Sequence, residues 1–186
     1  MKYFIIICFI VASCQSKNDR QVQLSLPIRV LATDTSLHNN NGTWIWKGKK
    51  YNGYLIEKKE GILLEELPIV DGKENGIAKG WYKNGKKRFE RNFQNGDREG
   101  IDKGWYENGK IAFEYFFKND KYEGSQKTFY ESGNPWQLLN YKNGYEDGKQ
   151  KSWSDSSGRV INNFTVKNGK LYGVIGRYDC MSVIKK

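Results

Sequence analysis

The sequence predicts an all-β chain, an open meander or solenoid of stacked antiparallel β-hairpins. Three observations predict it. First, one stretch recurs: Gly76, Gly100, Gly124 and Gly148 open successive copies, each step 24 residues by subtraction. A fixed period of a few tens of residues marks a stacked repeat architecture. Second, each copy carries two turn signals. One set is Asn84-Gly85, Asn108-Gly109, Ser132-Gly133 and, after a one-residue insertion, Ser157-Gly158; the other is Asn95-Gly96, Asn119-Asp120, Asn143-Gly144 and Asn168-Gly169. Asn-Gly pairs tolerate positive φ at both central positions, as a tight hairpin requires. Third, the runs between turns alternate. Ile111, Phe113, Tyr115 and Phe117 share one face, as do Val160, Asn162, Phe164 and Val166; the weakest run, Lys86 to Phe93, keeps only Phe89 and Phe93 apolar on that face. Such alternation reads as a half-buried strand. A lone hairpin is marginal in water, so stacking must supply the burial.

The elements before the repeats follow in order. Residues 1–13 read as a signal peptide: Lys2 supplies a positive start and Tyr3 to Ala12 an apolar run too short to span a bilayer. Val11-Ala12-Ser13-Cys14 resembles the lipobox of bacterial lipoproteins, which implies cleavage before Cys14 and acylation of Cys14. Residues 14–43 read as the lipidated cysteine and a polar tether, with Asn39-Asn40-Asn41-Gly42 at its end and His38, the single histidine, inside it. Val22-Gln-Leu24-Ser-Leu26 alternates there as an edge-strand candidate. The repeat domain is placed at 44–186, starting near Trp44. A divergent copy runs from Gly53 to Gly76, with Lys58-Lys59 where the later copies have aromatics, and a cap starts at Gly173 with a final strand candidate from Val174 to Ile184. Terminal units must differ because their outer faces meet water. With Cys8 in the signal and Cys14 lipidated, Cys180 is the one remaining thiol, so no internal disulfide is available.

Aligned copies produce columns. Trp81, Trp105, Phe129 and Trp153 form one, expected to pack as core, and Tyr82, Tyr106 and Tyr130 form the next. The pattern Gly-x-x-x-x-(Trp/Phe)-Tyr-x-x-Gly, preceded by Asn-Gly-x-x-x, resembles the MORN repeat, in the variant found in the YwqK-type antitoxin family. The resemblance covers about three-quarters of the chain, from the half-copy Trp44-Ile-Trp46-Lys-Gly48 onwards. It implies a stack of hairpins and, from that family, an antitoxin or immunity role. Repeat scaffolds host many tasks, so it does not name one.

No catalytic constellation emerges. One histidine and one late cysteine cannot assemble a Cys/His pair or a zinc site from the usual ligands, and no cofactor motif occurs. Carboxylates are plentiful, among them Glu65, Glu66, Glu90, Glu99, Glu114 and Glu123, so a pair for glycan hydrolysis is available by composition; Glu90 and Glu114 recur at one repeat position, which points to a solvent face. Charge is more informative. The net charge is +10, falling to +9 when residues 1–13, which contain Lys2 and no acid, are removed. Lys79 recurs as Lys103 and Lys86 as Lys110. These four lysines, with Tyr82, Tyr106 and Tyr130 as an aromatic alternative, are the candidate binding residues. Basic and aromatic composition also fits nucleic acid, but an exported anchor argues against that partner. The leading expectation is a non-enzymatic scaffold lipoprotein, anchored to a bacterial envelope membrane through Cys14 and facing a protein or anionic envelope partner. An immunity protein neutralising a secreted toxin comes second, and an envelope hydrolase using a carboxylate pair third.

Overall fold

A computed structural model describes residues 27–174. The signal segment, Cys14, the alternating stretch 22–26, Cys180 and most of the expected final strand lie outside them. Four strands precede the repeats: β1 (Arg29–Leu31), β2 (Leu37–Asn40), β3 (Thr43–Trp46) and β4 (Lys49–Lys50). The divergent copy supplies β5 (Gly53–Lys59), β6 (Ile62–Val70) and the short β7 (Lys73–Glu74). A two-long, one-short rhythm then repeats: β8 (Gly76–Trp81), β9 (Lys87–Gln94), β10 (Asp97–Arg98); β11 (Gly100–Trp105), β12 (Ile111–Lys118), β13 (Lys121–Tyr122); β14 (Gly124–Phe129), β15 (Pro135–Lys142), β16 (Tyr145–Glu146). The last strands are β17 (Gly148–Trp153), β18 (Val160–Lys167) and β19 (Lys170–Val174).

Among the described residues there is no helix, and all strands but β2, β3 and β4 belong to one long sheet, whose main path runs β1-β5-β6-β8-β9-β11-β12-β14-β15-β17-β18-β19. Only β1 along β5 is parallel; the rest is an antiparallel meander with two open edges, not a closed barrel.

The ordered body starts before Trp44. β2 and β3 form a hairpin through Asn41-Gly42, with φ of 47° and 77°, and β4 extends it to a small second sheet. Val30, Tyr51, Leu55 and Ile69 make a buried cluster at this end, covered by Leu37, Trp44, Trp46 and Leu67. Most of the expected tether from Arg29 onwards is therefore a cap, because its few apolar residues close the first hairpin of the stack. His38 is exposed on β2, opposite Ile45.

The two turn signals fold differently. In the second set both central residues have positive φ: Asn95 54° and Gly96 100°, Asn119 49° and Asp120 60°, Asn143 53° and Gly144 86°. In the first set only the glycine does, Gly85 at 80° and Gly109 at 90°. There the asparagine works through its side chain instead. Asn84 Oδ1 accepts the Lys86 amide at 3.0 Å and Asn108 Oδ1 the Lys110 amide at 2.9 Å, so a two-residue positive-φ turn is replaced by a longer loop with glycine at its left-handed position.

Each short strand ends in a kink that opens the sheet. β9 pairs with β10 at Phe93↔Arg98 and with β11 only from Glu90↔Lys103, so Arg91 and Asn92 face a break in the ladder spanning Glu99 to Asp102, the last three of which pair with β12 instead. The gap is filled from β11: Asp102, 2% exposed, accepts the Asn92 amide at 2.8 Å. One repeat on, Gln126 accepts the Phe116 amide at 2.8 Å, and in the next Gln150 accepts the Asn140 amide at 2.9 Å. The matched pair in the divergent copy is Pro68 and Ala78. Proline has no N–H to satisfy, so alanine suffices.

Candidate binding surfaces

Register divides the sheet into two faces. Gly100, Asp102 and Gly104 lie opposite Phe117, Tyr115 and Phe113 on one face; Ile101 and Lys103 lie opposite Phe116 and Glu114 on the other. We call these the aromatic face and the charged face.

The charged face carries a row at one-repeat spacing, Lys79, Lys103, Lys127 and Lys151. Its surroundings change along the stack. Lys79 is opposite Glu66 and Glu90, Lys103 opposite Glu90 and Glu114, Lys127 opposite Glu114 and Leu138, and Lys151 opposite Leu138 and Asn163. Glu114 holds Lys103 at 3.3 Å and Lys127 at 3.7 Å, while Glu90 is held by Lys87 at 2.7 Å. The ion pairs of the row sit at its middle; Lys79, whose facing Glu66 and Glu90 are held by Arg29 and Lys87, and Lys151, which lies 5.3 Å from the centre of the Trp153 ring, make none among the described residues. Glu90 and Glu114 are thus both engaged with lysines.

Lys86 and Lys110 are not in this row. They sit at the rim and fasten one repeat to the next: Lys86 Nζ donates to the Glu107 carbonyl at 2.9 Å, and Lys110 Nζ donates to the Ser132 carbonyl. The tyrosine column does the same. Tyr82 hydroxyl donates to the Trp105 carbonyl at 2.7 Å, Tyr106 to that of Phe129 at 2.7 Å and Tyr130 to that of Trp153 at 2.9 Å. These tyrosines are half-buried ties, not hydroxyls left open for a partner. Recurrence shows that positions are equivalent, and equivalent positions can touch each other as readily as a ligand. The Trp81, Trp105, Phe129, Trp153 column is half-buried beside them, each member at a register break.

On the aromatic face glycine and phenylalanine are matched. A Cβ on Gly80 would meet the Phe89 ring at 2.3 Å, and one on Gly104 the Phe113 ring at 2.1 Å. Later repeats change both partners, to Thr128 opposite Gln137 and Ser152 opposite Asn162. Between these two regimes lies an aromatic cluster. The Phe113 and Tyr115 rings stack at 4.5 Å, and the Tyr122 ring sits 5.5 Å from Tyr115, 4.7 Å from Phe117 and 5.2 Å from Tyr141. Burial pushes the Tyr115 phenol above its ordinary pKa, with the neighbouring tyrosine hydroxyls adding to the shift; burial does the same to Tyr141, helped by Glu146 and Tyr122. One repeat earlier, Arg91 and Arg98 occupy the places of Tyr115 and Tyr122. There burial raises the Asp102 pKa, against the Asn92 amide and the two arginines, which act to lower it.

Among the described residues no three His, Cys, Asp or Glu side chains are grouped to hold a metal ion, and no helix is long and apolar enough to cross a membrane. Sequence reasoning missed Lys127 as a member of the lysine row, although extending the period from Lys103 finds it. It missed the Asp102, Gln126, Gln150 column, which also recurs at the period.

Residues 74–95, 98–119 and 122–143 match the MORN repeat variant. These three copies are the most regular part of the sheet, and the structure adds a further unit of the same form in β17 and β18. Among curated proteins, none matches the chain significantly.

Proposed function

We propose that this chain is a non-enzymatic binding scaffold, held at a bacterial envelope by lipid on Cys14, whose charged sheet face meets a protein or an anionic envelope polymer. The MORN repeats support a repeat-based binding or scaffold role. The observation that carries the proposed surface is the row Lys79, Lys103, Lys127, Lys151 on one face of a single sheet, with its carboxylate partners running out after Glu114. An extended partner gains from such a row because weak contacts repeat at a fixed spacing; a small substrate does not. The anchor rests on the sequence: an apolar run of signal length followed by Val11-Ala12-Ser13-Cys14. Acyl chains contribute about 0.8 kcal/mol per buried methylene, so two or more hold a chain stably.

The test is fractionation of cells carrying wild type or Cys14→Ser, with cross-linking in the intact envelope. Wild type should sediment with membranes and cross-link to an envelope component. The serine variant should accumulate at unprocessed size and lose the cross-link. A serine variant that is processed and remains membrane-bound would remove the anchor from this account.

A further inference from the structure

The aromatic face holds a second candidate site that the lysine row does not explain. Tyr115, Tyr122, Gln126, Thr128, Gln137, Leu139 and Tyr141 line a shallow, open depression across two adjacent repeats. The lining is uncharged. Its rings present faces and edges, and the hydroxyls of Tyr115, Tyr122 and Tyr141 form no hydrogen bond with another protein group among the described residues. Thr128 Oγ1 is buried there without a partner. Such atoms are uncommon because an unmade hydrogen bond in a buried place is costly. Charge lies beyond the lining: the Arg98 guanidinium is 5.0 Å over the Phe117 ring, and Glu146 is opposite Tyr141.

We infer that this depression is a subsite for a neutral glycan. A pyranose has an apolar C–H face and a rim of hydroxyls. It therefore needs ring faces to stack on and uncharged donors and acceptors around them, which is the chemistry of this lining. The lining itself offers an anionic ligand no positive charge, since the Arg98 guanidinium lies beyond it, over Phe117. A purely apolar ligand would leave the tyrosine hydroxyls and the Gln137 amide unpaired, and the depression is too shallow to bury one. A chain-like glycan also suits a site spanning two hairpins, because the sheet advances about 9.6 Å per pair of strands. The cluster is specific to this place in the stack, since Arg91 and Arg98 replace Tyr115 and Tyr122 one repeat earlier.

This site is separate from the charged face, so failure of one reading does not by itself remove the other. The test is calorimetric titration of the full chain with neutral oligosaccharides built from glucose, N-acetylglucosamine, galactose or mannose, and with their uronic-acid counterparts, at 0.1 M and 1 M salt. At least one neutral series should bind, with the same affinity at both salt concentrations. Tyr122→Ala should weaken it at least about tenfold. Tyr115→Phe and Tyr141→Phe keep the rings and remove the hydroxyls. They should weaken binding several-fold with an unchanged thermal midpoint, which guards against a variant that has merely unfolded. Tyr172→Ala, on the exposed last strand, should bind as wild type does. No binding by any neutral series, binding only of uronic-acid chains, or equal binding by the two phenylalanine variants and Tyr122→Ala would overturn the inference. If binding is confined to anionic chains and lost at high salt, the glycan subsite falls while the charged-face reading gains.

Discussion

At position 68 the chain has a proline, and at the matched positions 92, 116 and 140 it has residues with an amide to satisfy. The side chain one strand away changes with it, alanine against proline and Asp102, Gln126 or Gln150 against the others. This compensation predicts a mutational pattern. Asp102→Ala should strand the Asn92 amide in the sheet and cost about 1–3 kcal/mol. Adding Asn92→Pro, which recreates the Pro68 and Ala78 pair, should recover part of that loss in a denaturation series. Asp102 also differs from the glutamines in being able to ionise. Its folded pKa is raised, chiefly by burial. Its favourable contribution is therefore complete below the unfolded carboxylate value, about 3.9, and is lost as pH rises through the higher folded value. Asp102→Gln should accordingly gain stability relative to wild type between pH 3.5 and pH 7. A difference that shrinks over that range would contradict this account. None of this was legible in the sequence, where a polar residue within a strand reads as a solvent-facing one.

At the scale of the element, hairpins were legible because three signals agreed: period, turn residues and alternation. The kind of turn was not, because Asn-Gly can supply two positive φ values or one positive φ and a side-chain acceptor. The structure uses both at alternate ends of the strands. Gly109→Val tests the first set. No atom lies within 4 Å of a Cβ at Gly109, but its φ is +90°. The cost is therefore conformational, of order 1–3 kcal/mol for a branched residue there. Lys110→Ala removes an exposed tie to Ser132 and should cost about 1 kcal/mol or less. Equal denaturation midpoints would count against the turn assignment. The part of the cap before Trp44, residues 29–43, escaped sequence reading for another reason. Its strands are three and four residues long, too short to show alternation, and its polar turns look like a tether.

At the scale of the molecule, both rims of the sheet are tied. One rim carries the Tyr82, Tyr106 and Tyr130 hydroxyls and the Lys86 and Lys110 ammonium groups, each reaching a carbonyl of the next repeat. At the other, three turns reach back: the Gly96 amide donates to the Glu74 carbonyl at 2.8 Å, that of Asp120 to the Arg98 carbonyl at 3.1 Å and that of Gly144 to the Tyr122 carbonyl at 2.9 Å. Each of the two links touches a neighbour only, so the stack is locally bonded along its length and its faces are left for other uses. The matched lysines seen in the sequence therefore separate into ties and a surface row, a division that requires the register to see.

The surface row is where the functional account is most exposed to test. The measurement is the affinity of the partner cross-linked in the envelope for the full chain, taken across a salt series, with wild type and a Lys79, Lys103, Lys127, Lys151→Gln variant. The Debye length falls from ~10 Å at 0.1 M to ~3 Å at 1 M, so wild-type binding should weaken steadily with salt. Each exposed charge contributes little alone. The single variants should therefore lose little, Lys79→Gln and Lys151→Gln more than Lys103→Gln and Lys127→Gln, which already share Glu114, and the fourfold variant should lose most of the salt dependence. A partner held equally at low and high salt, and equally by the fourfold variant, would contradict the claim that the charged face is the binding surface.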